Sequence, residues 1–341
     1  MAPAHDQTPA RAYDIAAWLL TGGALLLVLP LHLLPALLAG LLVYELVHLL
    51  APRLKMIQIR QEQGKLAAVA LLALGIVLLL TCAVVGILAF VHSEAGSLPT
   101  LLQKMADILD SWRTVLPAWV VARLPEDVEA LRATAVAWLR AHAGVLPQAG
   151  AAAGRTLAHI LIGLGIGAFV ALYDVQPSEA LRPLAQALQE RASRLGEAFR
   201  RVVFAQVRIS AVNTILTALY LVVALPLVGM HLPLAKTMLA VTFVVGLLPV
   251  VGNLISNTII VILSLSVSPS VAVASLVFLV VIHKLEYFLN AYLVGTQVHA
   301  HAWELLLAML VLEAAFGIPG LVAAPIYYAY LKDELVSRKL V

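Results

Sequence analysis

Apolar runs of about twenty residues recur along this chain, the length an α-helix needs to cross a hydrocarbon layer about 30 Å thick. They cover residues 13–29, 31–50, 66–91, 157–173, 202–230 and 270–292. Hydrocarbon holds no water to satisfy backbone N–H and C=O groups, so such runs fold as helices that close their own hydrogen bonds. Composition agrees: 62% of the 341 residues are hydrophobic and 12% are charged, where soluble domains carry about 25% charged residues. The expectation is an all-α fold, a polytopic transmembrane helical bundle. The first run is kept as a membrane helix, because no small-x-small cleavage site follows it and the second run starts almost at once.

Charge sets the topology. The net charge is +3, but the basic residues are dispersed over short loops and form no stripe for nucleic acid. Arg53, Lys55, Arg60 and Lys65 crowd the 51–65 loop, Arg182, Arg191, Arg194, Arg200 and Arg201 follow the fourth run, and Lys332, Arg338 and Lys339 follow Tyr330. The positive-inside rule puts all three segments, with both termini, in the cytoplasm of a bacterial cell, the membrane being its cytoplasmic membrane. The lone cysteine, Cys82, lies in an apolar run and excludes an intrachain disulfide.

Four regions follow. Residues 1–91 hold the N-terminal membrane helices, with Pro30 at a hairpin junction. In 92–150 hydrophobicity falls, and Leu101, Met105, Ile108, Leu109, Trp112 and Leu116, then Val128, Leu131, Trp138 and Leu139, recur at helical spacing. This predicts an extracytoplasmic amphipathic helical insertion. Residues 151–201 are a membrane helix followed by a basic amphipathic helix, and 202–341 form the C-terminal core.

The core carries the functional signal. Two apolar segments, 234–248 and 254–268, meet at Pro249-Val-Val-Gly252-Asn253, and the run 302–331 is broken at Phe316-Gly317-Ile-Pro319-Gly320. Each break follows a long run, which predicts an inverted repeat with two broken or re-entrant helical hairpins, their tips near Gly252 and Gly317 to Gly320 and buried within the protein. Glycine- or proline-interrupted segments in matching positions of two halves point to a transporter's midplane site. The plainer reading is that Pro249 and Pro319 only kink or end helices.

Polar residues inside the runs are the candidate ligands for a substrate or ion, since an ionisable group at the bilayer centre costs about 2.5–3.5 kcal/mol or more. His283, Glu286 and Asn290 are spaced three and four apart and share one face of a helix over 270–292. His283 and Lys284 also fit an interfacial position with the side chain reaching water. Asn253, Ser256 and Asn257 follow the first break; Glu313 precedes the second, as a cavity residue or a helix-end group. Gln206 and Asn213 read as contacts to neighbouring helices.

No nucleophile–base, metal or nucleotide motif occurs, so neither an enzyme nor a cofactor is expected. Glu45-Leu-Val-His48 has the spacing of half a di-iron site without a second set, and His299-Ala-His301 is a short loop.

Leu248-Pro-Val-Val-Gly-Asn253, Lys284-Leu-Glu286, Leu293-Val-Gly295, and Phe316-Gly-Ile-Pro-Gly320 with Ala324-Pro325 resemble, in order and spacing, the autoinducer-2 exporter family of permeases. The resemblance spans most of the chain. It implies a transporter of a small polar molecule or ion, driven in some members by a proton or sodium gradient, and a homo-oligomer, a pentamer, surrounded by membrane lipid. An oligomeric passive channel and a non-transporting scaffold built on residues 92–147 are the alternatives.

Overall fold

The computed structural model describes residues 8–55, 61–92, 128–141, 144–173, 181–232, 234–247, 251–265, 267–295 and 301–340. These residues form helices and the turns that join them, with no strand among them. The helices are α1 (Thr8–Val28), α2 (Leu34–Lys55), α3 (Gln61–His92), α4 (Val128–Ala141), α5 (Val145–Tyr173), α6 (Pro183–Ala218), α7 (Ala235–Val245), α8 (Val251–Leu265), α9 (Pro269–Gly295), α10 (Ala302–Phe316) and α11 (Ile318–Ser337). Among the described residues three stretches, Leu34–Arg53, Gly150–Tyr173 and Pro183–Leu227, are long and apolar enough to span a bilayer, and shorter apolar helices accompany them. The fold is the expected helical membrane architecture. The first helix of the expected insertion, Pro249 and His299 lie outside the described residues.

Two helices differ in extent from the sequence reading. α5 begins at Val145, well before the apolar run, because Ala149 and Ala151 to Ala153 are strong helix formers. The basic segment and the following apolar run form one helix, α6, since no proline separates them. α6 passes into a π-helical stretch, Leu219–Ala224, and ends in the turn Leu225–Leu227. Pro226 has no N–H to give the carbonyl four residues back, and a π turn next to it absorbs the mismatch.

The chain forms two compact units: residues 1–76, 152–204 and 294–341 make the first, and residues 77–151 and 205–293 the second.

In the first unit, small residues bring α2 and α5 into backbone contact. A Cβ added at Gly163 would stand 2.1 Å from the Ala36 carbonyl oxygen, and one at Gly167 would stand 2.2 Å from that of Gly40. Ala36-x-x-x-Gly40 thus meets Gly163-x-x-x-Gly167, the small-residue packing that replaces hydrophobic driving force between helices in lipid. Around it, Val43, Val47, Ala51, Ala68 and Ala171 are buried together, and a second cluster joins Leu25, Leu195, Phe199, Ile326 and Tyr330.

The first unit also contains the second expected hairpin. Tyr328 and Lys332 of α11 meet Glu304 of α10, with Lys332 Nζ at 3.1 Å. Nearer the turn, a Cβ on Gly320 would fall 1.9 Å from the Leu312 carbonyl oxygen. These pairings fix two antiparallel arms that turn at Gly317, where φ is 66° and a side chain would be strained. Of the tip residues, Gly320 is buried, whereas Gly317, Ile318 and Pro319 are exposed on this chain. The expectation of a wholly buried tip is corrected here: only Gly320 packs on the opposite arm.

In the second unit α7 and α8 pack side by side, α7 ending at Val245 and α8 beginning at Val251. A Cβ on Gly252 would come within 2.0 Å of the Val245 carbonyl oxygen, so the two helix ends lie against each other. Met238 of α7 and Ile260 of α8 belong to one buried cluster with Tyr220, Leu225, Val271 and Leu279. With 11 and 15 residues, the two arms measure about 16 and 22 Å, each shorter than the hydrocarbon layer.

Candidate functional site

Five polar residues of α6 and its π-helical extension, Gln206, Ser210, Asn213, Thr217 and Tyr220, recur at alternating spacings of four and three. That period keeps them on one helical face. The face is turned inward: Ser210 is 2% exposed, Asn213 5% and Thr217 1%.

The first three close on the broken hairpin. α7 stops at Val245, and the carbonyls of its last turn lose the helical donors that would have followed. Gln206 Nε2 donates to the Gly246 carbonyl at 2.7 Å, and Ser210 Oγ donates to that of Phe243 at 2.7 Å. Gly246 allows this approach, since a Cβ there would sit 2.7 Å from Ser210 Oγ. One turn on, Asn213 Nδ2 donates to Asn253 Oδ1 at 2.9 Å, and Ser256 Oγ donates to the Asn253 carbonyl at 3.3 Å. In the last turn of α7 the Thr242 hydroxyl is buried and has no hydrogen-bond partner among the described residues. A buried hydroxyl left unpaired costs free energy that a water or a polar solute would recover.

Further along, Tyr220, Ser275 and Ser264 form a chain of hydroxyls. Ser264 Oγ lies 2.8 Å from the Ile260 carbonyl, which only accepts, so Ser264 spends its proton there. Ser275 must then donate to Ser264 across 2.7 Å, and Tyr220 to Ser275 across 2.9 Å. Tyr220 also stacks on Phe278 with ring centroids 4.0 Å apart.

The seam therefore consists of hydroxyls, amides and unwound carbonyls. It can hold a small polar solute by hydrogen bonds, or a cation by oxygen dipoles, while its apolar flanks keep it dry.

Of the residues singled out from sequence, Asn253 and Ser256 lie in this seam, and Asn257 is half-buried on α8 beside them. Gly252 stands in the first turn of α8. α9 carries His283, Glu286 and Asn290, which its helical period places on one face; their side chains lie outside the described residues, and the neighbouring Lys284 is exposed. Glu313 is exposed at the end of α10, and its carbonyl accepts the Gly317 N–H at 2.6 Å. Sequence reasoning missed Ser210, Thr217, Tyr220, Thr242, Ser264 and Ser275. The four-three spacing through Gln206 and Asn213 was the available signal for the first three.

The family model described as AI-2E family transporter matches residues 15–336, nearly the whole chain. The chain belongs to the AI-2E transporter family. It is accordingly a multi-pass membrane transporter, as the resemblance of its C-terminal motifs implied. No curated protein and no solved structure matches it. Polar groups desolvated within membrane helices are costly, and the buried polar seam of the second unit belongs to an AI-2E family transporter.

Proposed function

We propose that this AI-2E family member is a secondary permease that carries a small polar molecule or ion along the seam between α6 and the α7–α8 hairpin. The observation that supports this reading is the inward stripe Gln206, Ser210, Asn213 and Thr217 set against the broken helix ends at Gly246 and Asn253. Polar side chains and open carbonyls at a break between short helices are stable in a membrane where they line a protein-enclosed path. Neither short arm of the hairpin spans the layer alone, which favours a re-entrant segment.

Glu286, on the α9 face it shares with His283 and Asn290, is the proposed coupling carboxylate for a proton or sodium gradient. The protein is proposed to work as a homo-oligomer, a pentamer, in the bacterial cytoplasmic membrane, with both termini cytoplasmic and residues 92–147 outside. An impermeant thiol reagent tests the orientation: a cysteine at position 120 in a Cys82-free background is expected to label in intact cells.

The function is tested by flux into proteoliposomes across candidate ions and polar metabolites. Saturable flux that follows an imposed gradient and disappears in Glu286→Gln supports coupled transport. Unitary single-channel currents would favour a passive pore instead, and the absence of any flux would favour a scaffold.

A further inference from the structure

Glu45 stands near the middle of the apolar stretch Leu34–Arg53 of α2, where an acidic side chain is out of keeping with its surroundings. It is half-buried and turned toward α6: a Cβ on Gly196 would come 3.0 Å from Glu45 Oε1, so the missing side chain of Gly196 is the space the carboxylate uses. Leu195, Ala198 and Phe199 are buried on either side of that glycine.

The charged groups that act on Glu45 are Arg200 and Glu197 from α6 and His48 from α2 itself. α3 and α5 meet this part of α2 through Ala68 and Ala171, which pack with Val43 and Val47. α11 approaches its neighbouring turn through Ile326 and Ala329, which pack with Leu38 and Leu41. Among the described residues no hydrogen bond or ion pair closes on the Glu45 carboxylate. Arg200 is one helical turn beyond Gly196 and exposed, near enough to act on the charge without pairing with it. His48 Nδ1 lies 2.8 Å from the Tyr44 carbonyl; a carbonyl only accepts, so Nδ1 carries a proton.

We propose that Glu45 is a proton-exchange site of this transporter, its carboxyl group taking up and releasing one proton in the niche at Gly196 with Arg200 as the countercharge of the ionised form. On release the O–H bond breaks, the electron pair stays on the carboxylate oxygen and the proton passes to water; uptake is the reverse. The role in the transport cycle rests on the permease reading, whereas the protonation itself does not.

The test uses the full chain in lipid nanodiscs and proteoliposomes. Infrared difference spectra recorded across pH are expected to show a protonated-carboxyl C=O band that is lost in Glu45→Gln. In Arg200→Gln the midpoint of the band shifts to higher pH, because removing a positive charge strengthens proton binding. Flux in Glu45→Gln is expected to lose its pH dependence while the protein elutes at the wild-type oligomer size. Gly196→Ala, which presses a methyl group on the carboxylate, shifts the midpoint of the band without removing it. A pH-difference spectrum unchanged by Glu45→Gln would overturn the proposal, and so would wild-type pH dependence of flux in that variant. If the band titrates as expected and wild-type protein moves no solute, proton exchange at Glu45 stands and the permease reading fails.

Discussion

Tyr220 donates to Ser275 at the head of a hydroxyl chain whose direction is set by the Ile260 carbonyl at its far end. The direction makes the two residues unequal. Ser275→Ala leaves the Tyr220 O–H inside an apolar cluster with nothing to donate to, a loss of about 1–3 kcal/mol. Tyr220→Phe removes that donor and leaves every remaining hydroxyl proton placed, so it is expected to cost no more than about 1 kcal/mol beyond small packing changes. Thermal unfolding in nanodiscs should rank Ser275→Ala as the more damaging change; the reverse order would mean the chain runs the other way.

The contact between α2 and α5 admits no side chain at Gly163, where a Cβ would meet the Ala36 carbonyl oxygen at 2.1 Å. Gly163→Val should force the helices apart and destabilise the protein by about 1–3 kcal/mol or more. At Gly165, on the same helix, an added Cβ meets nothing within 4 Å. Gly165→Ala should therefore be neutral, or stabilising by up to about 1 kcal/mol through helix propensity. Equal effects at the two sites, read as thermal stability in nanodiscs, would mean that close backbone approach is not what holds these helices.

Arg191 is fully buried and gathers three carboxylates: Asp14 at 2.9 Å, Glu190 at 2.9 Å and Glu334 at 3.5 Å. Glu334, itself 4% exposed, also accepts from Trp18 Nε1 at 3.1 Å, which ties α1, α6 and α11 together. Arg191→Met leaves Glu334 buried beside the weaker, more exposed Arg194, and should cost about 3–5 kcal/mol. Adding Glu334→Gln removes the stranded charge and should recover a good part of that loss. A double variant no more stable than the single one would show that packing, not charge, is what Arg191 contributes.

Helical class and membrane residence are legible from run length, and the breaks near Gly252 and Gly317 from residues that cannot continue a buried helix. What stays hidden in the sequence is partnership. Gln206 and Asn213 are visible as polar intruders in an apolar run, but their targets at Gly246 and Asn253 lie forty residues away in the chain. Ser210, Thr217 and Ser275 are small and common in membrane helices, and only their burial on one seam distinguishes them. Arg191 is readable as one of several basic residues that follow the fourth apolar run. Nothing local announces that it is buried among carboxylates, because those come from α1 and α11 as well as its own helix.

If the seam between α6 and the α7–α8 hairpin is the transport path, the Asn213–Asn253 pair sits within it and has to serve transport as well as packing. Asn213→Leu removes the amide that donates to Asn253 Oδ1 and should lower both stability and flux. Asn213→Leu with Asn253→Leu replaces both partners by apolar groups of similar size and should restore much of the stability, since an unmade hydrogen bond is the larger part of the loss. Saturable flux in proteoliposomes, measured beside thermal stability for the two variants and wild type, separates the roles. A transport path along this seam requires a double variant that is folded, oligomeric and inactive. A double variant that regains stability and carries solute at the wild-type rate would place the path elsewhere.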